Sequence, residues 1–285
     1  MHDLRDTTGG IAMDLVHICT AVKVNAHTGA NELKNALKAS DVVIMTASTP
    51  ILPALTRESM FRENAFLIRN FAKAFAEVCP DALAIVVTNP LNSCVPIFCE
   101  VMKRANKLEP KKVFGFTTVD LVRANTFIAA LKNLDSSKVF CPAVGGHSDV
   151  SIVPLPSLCE PFIDFTKEEI VNITNTVQQA GMAVVKARKG VSSTFATAYG
   201  CARFIFNLIR AKKGEANVVE CSYTMNNAYG TKYFSSKLLL GKGGVEKDLG
   251  IGKVSDFEQD RINVAIQDIK QNVAVAEKFM QQIDS

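Results

Sequence analysis

Short apolar runs alternate with amphipathic stretches through the first half of the chain, and this alternation limits the possible folds more than any other feature. The run Val42 to Thr46 follows Ser40-Asp41, as expected of a strand buried on both faces. Residues 58–79 carry Phe61, Leu67, Ile68, Phe71, Phe75 and Val78 on one helical stripe. Ala84 to Val87 reads as the next buried strand and ends in the turn Thr88-Asn89-Pro90. A helix, a strand from Val113 to Phe116, a helix from about Val119 and a strand from Lys138 to Ala143 follow. Strands and helices alternating at this spacing predict an α/β fold with a mostly parallel sheet and helices on both faces.

The pattern changes after Gly145-Gly146. Helices are expected across 167–187 and 193–211, then antiparallel strands at Val218 to Tyr223 and Lys237 to Leu240 with a hairpin turn at Gly241 to Gly244. A final helix opens on the capping box Ser255 and Glu258, and its stripe runs Ile262, Ile266, Ile269, Val273, Ala276, Met280, Ile283. The change of architecture near residues 115–145 divides the chain into an α/β domain over 1–115 and an α+β domain over 116–285, packed together. With 48% hydrophobic and 21% charged residues, 285 residues hold ample material for both cores.

The net charge of +4 is small and gathered in no run, which argues against nucleic acid as a partner. Eight cysteines occur without a C-x-x-C pair, mostly inside apolar runs where a thiol packs as a small hydrophobe. Free thiols, a reducing compartment and no metal site are therefore expected. No stretch reaches the ~18 apolar residues of a membrane span. Neither terminus carries a legible targeting signal.

Candidate chemistry gathers around His147, which follows two glycines in Val-Gly-Gly-His-Ser. The glycines let the backbone approach closely and leave the imidazole at the end of a buried strand. Asp120 lies 27 residues earlier, on the helix after the preceding strand, so the two can meet in one cleft. A carboxylate on one ring nitrogen fixes the tautomer and raises the basicity of the other, and the pair can shuttle a proton to and from an alcohol. Arg123 is one helical turn beyond Asp120, and Arg57 opens the helix at 58–79; a guanidinium suits bidentate capture of a carboxylate, although either arginine alone would also suit a solvated helix surface. Asn89 stands at the carboxyl end of a strand, where open α/β sheets bind ligands, and equally suits a turn before proline. Together these residues propose a site for a 2-hydroxy acid.

The segments Val87-Thr-Asn-Pro-Leu-Asn-Ser93, Thr117-Thr-Val-Asp-Leu-Val-Arg-Ala-Asn125, Gly145-Gly-His147, Val218-Val-Glu-Cys-Ser222 and Leu238 to Lys247 resemble the malate dehydrogenases of the mitochondrial and glycosomal type, along residues 3–283. The resemblance implies a Rossmann-like NAD-binding domain followed by a catalytic domain, and oxidoreductase activity of the kind used in the tricarboxylic acid cycle. It makes His147 the acid/base and Asp120 its partner. It gives Arg123 the C1 carboxylate of the substrate, Arg57 the carbonyl, and Asn89 both substrate and nicotinamide. Asp3 would hold the adenosine ribose, and Asn64, Val87, Thr88 and Thr197 would make further NAD contacts. It also implies a homodimer or tetramer, a loop at 49–57 that closes the site, and a mitochondrial or glycosomal place, while the missing targeting signal also allows the cytoplasm.

Three positions depart from the pattern. The family begins with a strand, a Gly-rich phosphate loop and a helix ahead of the ribose aspartate, which here is residue 3; no G-x-G-x-x-G occurs, and Gly9-Gly10 precedes a helix with no strand leading in. The pyrophosphate would lose its backbone cradle. A truncated sheet is expected, with a strand at Ala21 to Asn25 set apart and the Val42 strand left with an unpaired, buried edge unless the two pair directly. Ile51 stands where the family's loop has the arginine for malate's distal carboxylate, which favours acids with a neutral side chain. Thr197 replaces a methionine. Two readings follow: an NAD-dependent 2-hydroxy acid dehydrogenase, or a catalytically silent relative acting through binding and oligomerisation.

Overall fold

The computed structural model describes residues 1–49 and 57–283. Near the start of the chain, β1 (His2–Asp3) and β2 (His27–Thr28) pair in parallel as a two-stranded sheet of their own. Between them runs α1 (Thr8–Val16), with Gly9 and Gly10 inside its first turn rather than ahead of it. The short α2 (Leu33–Leu37) follows and packs on α3 (Arg57–Val78).

The main sheet begins with three parallel strands, β3 (Val42–Met45), β4 (Leu83–Val86) and β5 (Val113–Gly115). Helices α3, α4 (Leu91–Arg104) and α5 (Thr118–Lys132) follow them in turn. The remaining elements are β6 (Ala143–Gly145), β7 (Ile152–Pro154), α6 (Lys167–Ala187), α7 (Thr194–Lys212), β8 (Val218–Met225), β9 (Tyr233–Gly241), β10 (Gly244–Gly250) and α8 (Asp256–Gln282). The order across the sheet is β3-β4-β5-β8-β9-β6-β7, with β10 antiparallel on β9. One bridge, Gly115 to Tyr223, joins the parallel half to the antiparallel half, so a single eight-stranded mixed sheet runs through both.

The two-residue period of β4 explains why it is buried throughout. Ala84 and Val86 pack toward α3, α4 and α8, whereas Leu83 and Ile85 pack toward α7. Edge-to-face ring pairs sit in both layers, Phe75 on Phe98 at 5.3 Å and Phe114 on Phe204 at 5.5 Å. The expected stripes on α3 and α8 face this core, and the capping box of Ser255 and Glu258 is formed.

Three strand expectations are corrected. Val42 to Met45 is not buried on both faces: Val43 and Met45 are buried, Val42 and Ile44 half-buried, because β3 is the edge strand and pairs only with β4 among the described residues. Residues 21–25 form no strand; the pairing instead falls at His27–Thr28, where the Gly29 amide donates to the Asp3 carbonyl at 3.0 Å. The two-stranded unit does not join β3. Residues 138–143 are not one strand either. A 3-10 turn occupies Ser136–Lys138, Phe140 makes an isolated bridge to Glu160, and β6 starts at Ala143. Pro142 has no N–H to give to a ladder, and the Cys141 amide is taken by the side chain of Asn125, 16 residues back, at 2.8 Å.

Candidate active site

The turn that carries the candidate histidine is shaped by glycine. Gly145 has φ +93°, and a Cβ placed there would lie 2.2 Å from the Ser151 carbonyl oxygen. A Cβ on Gly146 would lie 2.6 Å from the Asn92 side-chain oxygen. Only glycine allows both approaches, which bring the β6–β7 turn down onto the start of α4. There the Asn92 Oδ1 accepts from the His147 backbone amide at 2.8 Å.

This places the imidazole beside the first turn of α5. His147 Nδ1 lies 2.6 Å from Asp120 Oδ2. The Asp120 side chain is 1% exposed and that of His147 17%. A carboxylate only accepts, so Nδ1 carries the hydrogen, and in the neutral ring the lone pair lies on Nε2, which has no bond within the described chain. Arg123, one turn later, reaches the other Asp120 oxygen with Nη1 at 3.4 Å. Asp120 thus stands between an imidazole and a guanidinium in a site shielded from water. A Cβ built on Gly181 of α6 would sit 3.7 Å from both terminal nitrogens of Arg123, so the helix lies against the guanidinium with no side chain between. The other N–H groups of Arg123 have no described partner and can hold an anion.

The carboxyl ends of β3 and β4 form the adjoining rim. Buried Asn64 donates to the Asn89 carbonyl at 2.8 Å and to Ser48 Oγ at 3.3 Å, and accepts from the Thr49 amide at 2.8 Å. Thr88, also buried, donates from Oγ1 to the Ala47 carbonyl at 2.6 Å. The Val87 amide continues the β3–β4 ladder to Met45 at 2.9 Å. Asn64, Thr88 and Val87 therefore brace the two loops, while Asn89 stands exposed at the end of the strand. Its Oδ1 accepts from the Leu91 amide at 3.3 Å and its amide nitrogen has no described bond. Asn92, three residues on, holds the His147 amide, so the turn that carries Asn89 runs straight into the part of α4 that meets the β6–β7 turn.

Other candidates stand apart. Asp3, at the end of β1, accepts from the Arg5 amide at 2.9 Å and from the Arg5 guanidinium at 3.2 and 3.0 Å. The Arg5 side-chain and backbone bonds hold its carboxyl down at about 2. Thr197 is half-buried on α7 and donates to the Ser193 carbonyl of its own helix at 2.5 Å. Neither contacts the His147 group among the described residues. Arg57 begins α3, but its side chain lies outside the described part, as do Ile51 and the rest of 50–56. Asn92 and Gly181 belong to the site but were not singled out in the sequence. Asn92 lies in the segment Val87 to Ser93, which gave a usable signal; Gly181 gave none, because only the path of α6 brings it to Arg123.

Comparison with known proteins gives a consistent result. Residues 1–115 match the family model described as lactate/malate dehydrogenase, NAD binding domain, and residues 117–280 match the lactate/malate dehydrogenase alpha/beta C-terminal domain. The mitochondrial malate dehydrogenases of Pongo abelii and Homo sapiens are each 44% identical over 274 residues, which is 96% of this chain and 81% of theirs. Among solved structures, a malate dehydrogenase of Cryptosporidium parvum superposes with a TM-score of 0.84 at 25% identity, covering 98% of this chain and 90% of that one. A lactate dehydrogenase of the same organism, complexed with lactic acid and nicotinamide adenine dinucleotide, gives 0.84 at 26% identity over 97% and 89%.

Proposed function

The chain belongs to the lactate/malate dehydrogenase family of NAD-binding oxidoreductases, and on that premise we propose that it interconverts a 2-hydroxy acid and its 2-oxo acid through the His147–Asp120 pair. The observation that carries this is the 2.6 Å bond between His147 Nδ1 and the buried Asp120 carboxylate. It leaves Nε2 as the base that takes the alcohol proton on oxidation and returns it on reduction. Asp120 stabilises the imidazolium formed meanwhile, and Arg123 holds the acid's carboxylate beside it. Bound NAD supplies the nicotinamide that takes up or gives back the hydride.

The residues fit the nicotinamide end of that cofactor. The exposed Asn89 side chain lies three residues before Asn92, which holds the His147 amide, and Asn64 and Thr88 brace the adjoining loops. Asp3 suits a ribose if its carboxylate shares its lone pairs between Arg5 and the hydroxyls. Gly9 and Gly10 lie within α1, so the fit rests on the nicotinamide and ribose ends rather than on a glycine cradle. The well-formed proton-transfer pair and the dehydrogenase relatives favour an enzyme over the silent reading.

Residues 1–115 would form the cofactor-binding domain and 116–285 the substrate domain, in a homodimer or tetramer with the mitochondrial place that the relatives' names carry. Arg57 would polarise the substrate carbonyl, and Thr197 would face the nicotinamide. Ile51 offers no counter-charge to a second carboxylate, which favours a neutral side chain over that of malate.

The test is NADH titration by fluorescence on the whole chain, followed by turnover with oxaloacetate and phenylpyruvate. Reduction of either acid supports the dehydrogenase reading, and faster reduction of phenylpyruvate supports the role given to Ile51. A folded protein that binds no NADH at millimolar concentration would overturn it.

A further inference from the structure

Behind His147 lies a second polar cluster that the proton-transfer pair does not use. The turn residues Ser148 and Ser151 meet Asn92 at the start of α4 and Asp268 in the middle of α8. Asp268 Oδ2 accepts from Ser148 Oγ at 2.7 Å, from Asn272 Nδ2 at 3.1 Å and from Asn92 Nδ2 at 3.5 Å. Ser148 Oγ and Ser151 Oγ are 2.6 Å apart, and Asn92 Nδ2 donates to Ser151 Oγ at 3.0 Å.

Counting donors gives these bonds one direction. Asn92 Oδ1 must face the His147 amide, so its nitrogen faces Ser151 and Asp268. Ser148 spends its hydroxyl hydrogen on Asp268, so Ser151 must donate to Ser148 and accept from Asn92. Every member passes a hydrogen along, and the chain needs a pure acceptor at its end. Among the described residues of the cluster only the Asp268 carboxylate is one. Without it, the Ser148 hydroxyl loses its acceptor and Asn92 Nδ2 keeps Ser151 alone, so the Asn92 oxygen that grips the His147 backbone is held less firmly.

We propose that Asp268 is a positioning residue for His147, acting through Ser148, Ser151 and Asn92 to hold the histidine's backbone where its ring meets both Asp120 and the substrate. The proposal rests on the reading of His147 as the acid/base. It links the C-terminal helix to the chemistry, 121 residues from the histidine along the chain. The effect falls on catalysis rather than binding, because the cluster supports the turn and touches none of the groups assigned to the cofactor or the carboxylate.

The experiment compares Asp268→Leu with Asp268→Asn in the full chain. Asparagine can keep an acceptor oxygen at the Oδ2 position, where all three bonds converge, whereas leucine removes it. The leucine variant should lose about 10- to 100-fold in kcat with KM changed less than about threefold, as expected when a reacting group is misplaced by a fraction of an ångström to an ångström. The asparagine variant should stay within about threefold of the parent. Independently of activity, hydrogen exchange of the His147 amide should speed up at least tenfold in the leucine variant and not in the asparagine one. A leucine variant with parental kcat and unchanged exchange would overturn the proposal. So would equal loss in both variants, since that marks a general packing defect. If the parent itself is inactive, the proposed function fails, and the exchange comparison still decides whether Asp268 holds the turn.

Discussion

His147 and Asp120 are separated by 27 residues and end 2.6 Å apart, and this pair sets the sharpest expectations. His147→Gln should lower kcat by about 10²–10⁴-fold with NADH affinity nearly unchanged, which steady-state kinetics beside a fluorescence titration would check. An equal fall in NADH affinity would count against the assigned role. Gly145→Ala should destabilise the fold by roughly 3 kcal/mol or more, because the new methyl meets a carbonyl at 2.2 Å and φ is +93°. Urea denaturation measures that directly. His147 and its aspartate were legible because residue type and spacing pointed to them. Ser148 and Asp268 were not, because a serine and a helix-surface aspartate have many uses, and only the crossing of α8 over the turn makes them partners.

Elements were most legible where their stop and start signals are local. The α8 capping box is one: the buried Glu258 accepts from the Ser255 amide at 2.8 Å and from the Ser255 hydroxyl at 2.7 Å. It also accepts from the amide and hydroxyl of Ser157 at 3.0 and 2.5 Å, which sequence alone did not suggest. Ser255→Ala should therefore cost about 1 kcal/mol, whereas Glu258→Ala should cost about 3 kcal/mol because it also leaves Ser157 without its partner. Similar losses in denaturant titrations would show that the Ser157 bonds contribute little. Elements were least legible where long-range hydrogen bonds decide. Residues 138–143 look like a strand, yet Asn125 captures the Cys141 amide and Pro142 breaks the ladder.

At the scale of the whole molecule, burial governs the thiols. Seven of the eight cysteines are buried and free, and Cys19 is exposed. Burial pushes Cys79 and Cys201 up to about 11, and Cys99 and Cys221 up to about 12. Thiolate is the reactive form, so at pH 8 a disulfide reagent should label about one equivalent in the native protein and all eight in denaturant. Rapid native labelling of several cysteines would mean that the core opens readily.

The alternation of short apolar runs and amphipathic stretches determined the α/β architecture, the main helices and the parallel β3-β4-β5 unit, since side-chain period and capping act over a few residues. The residue types around His147 determined the chemistry open to this chain. Tertiary structure decided how the halves join, through Gly115 and Tyr223, and which residues stand behind His147. Those outcomes depend on elements that are distant in sequence and packed together in space. A hydrogen bond between residues more than a hundred positions apart leaves no local pattern, because its geometry exists only once the helices and the sheet have docked.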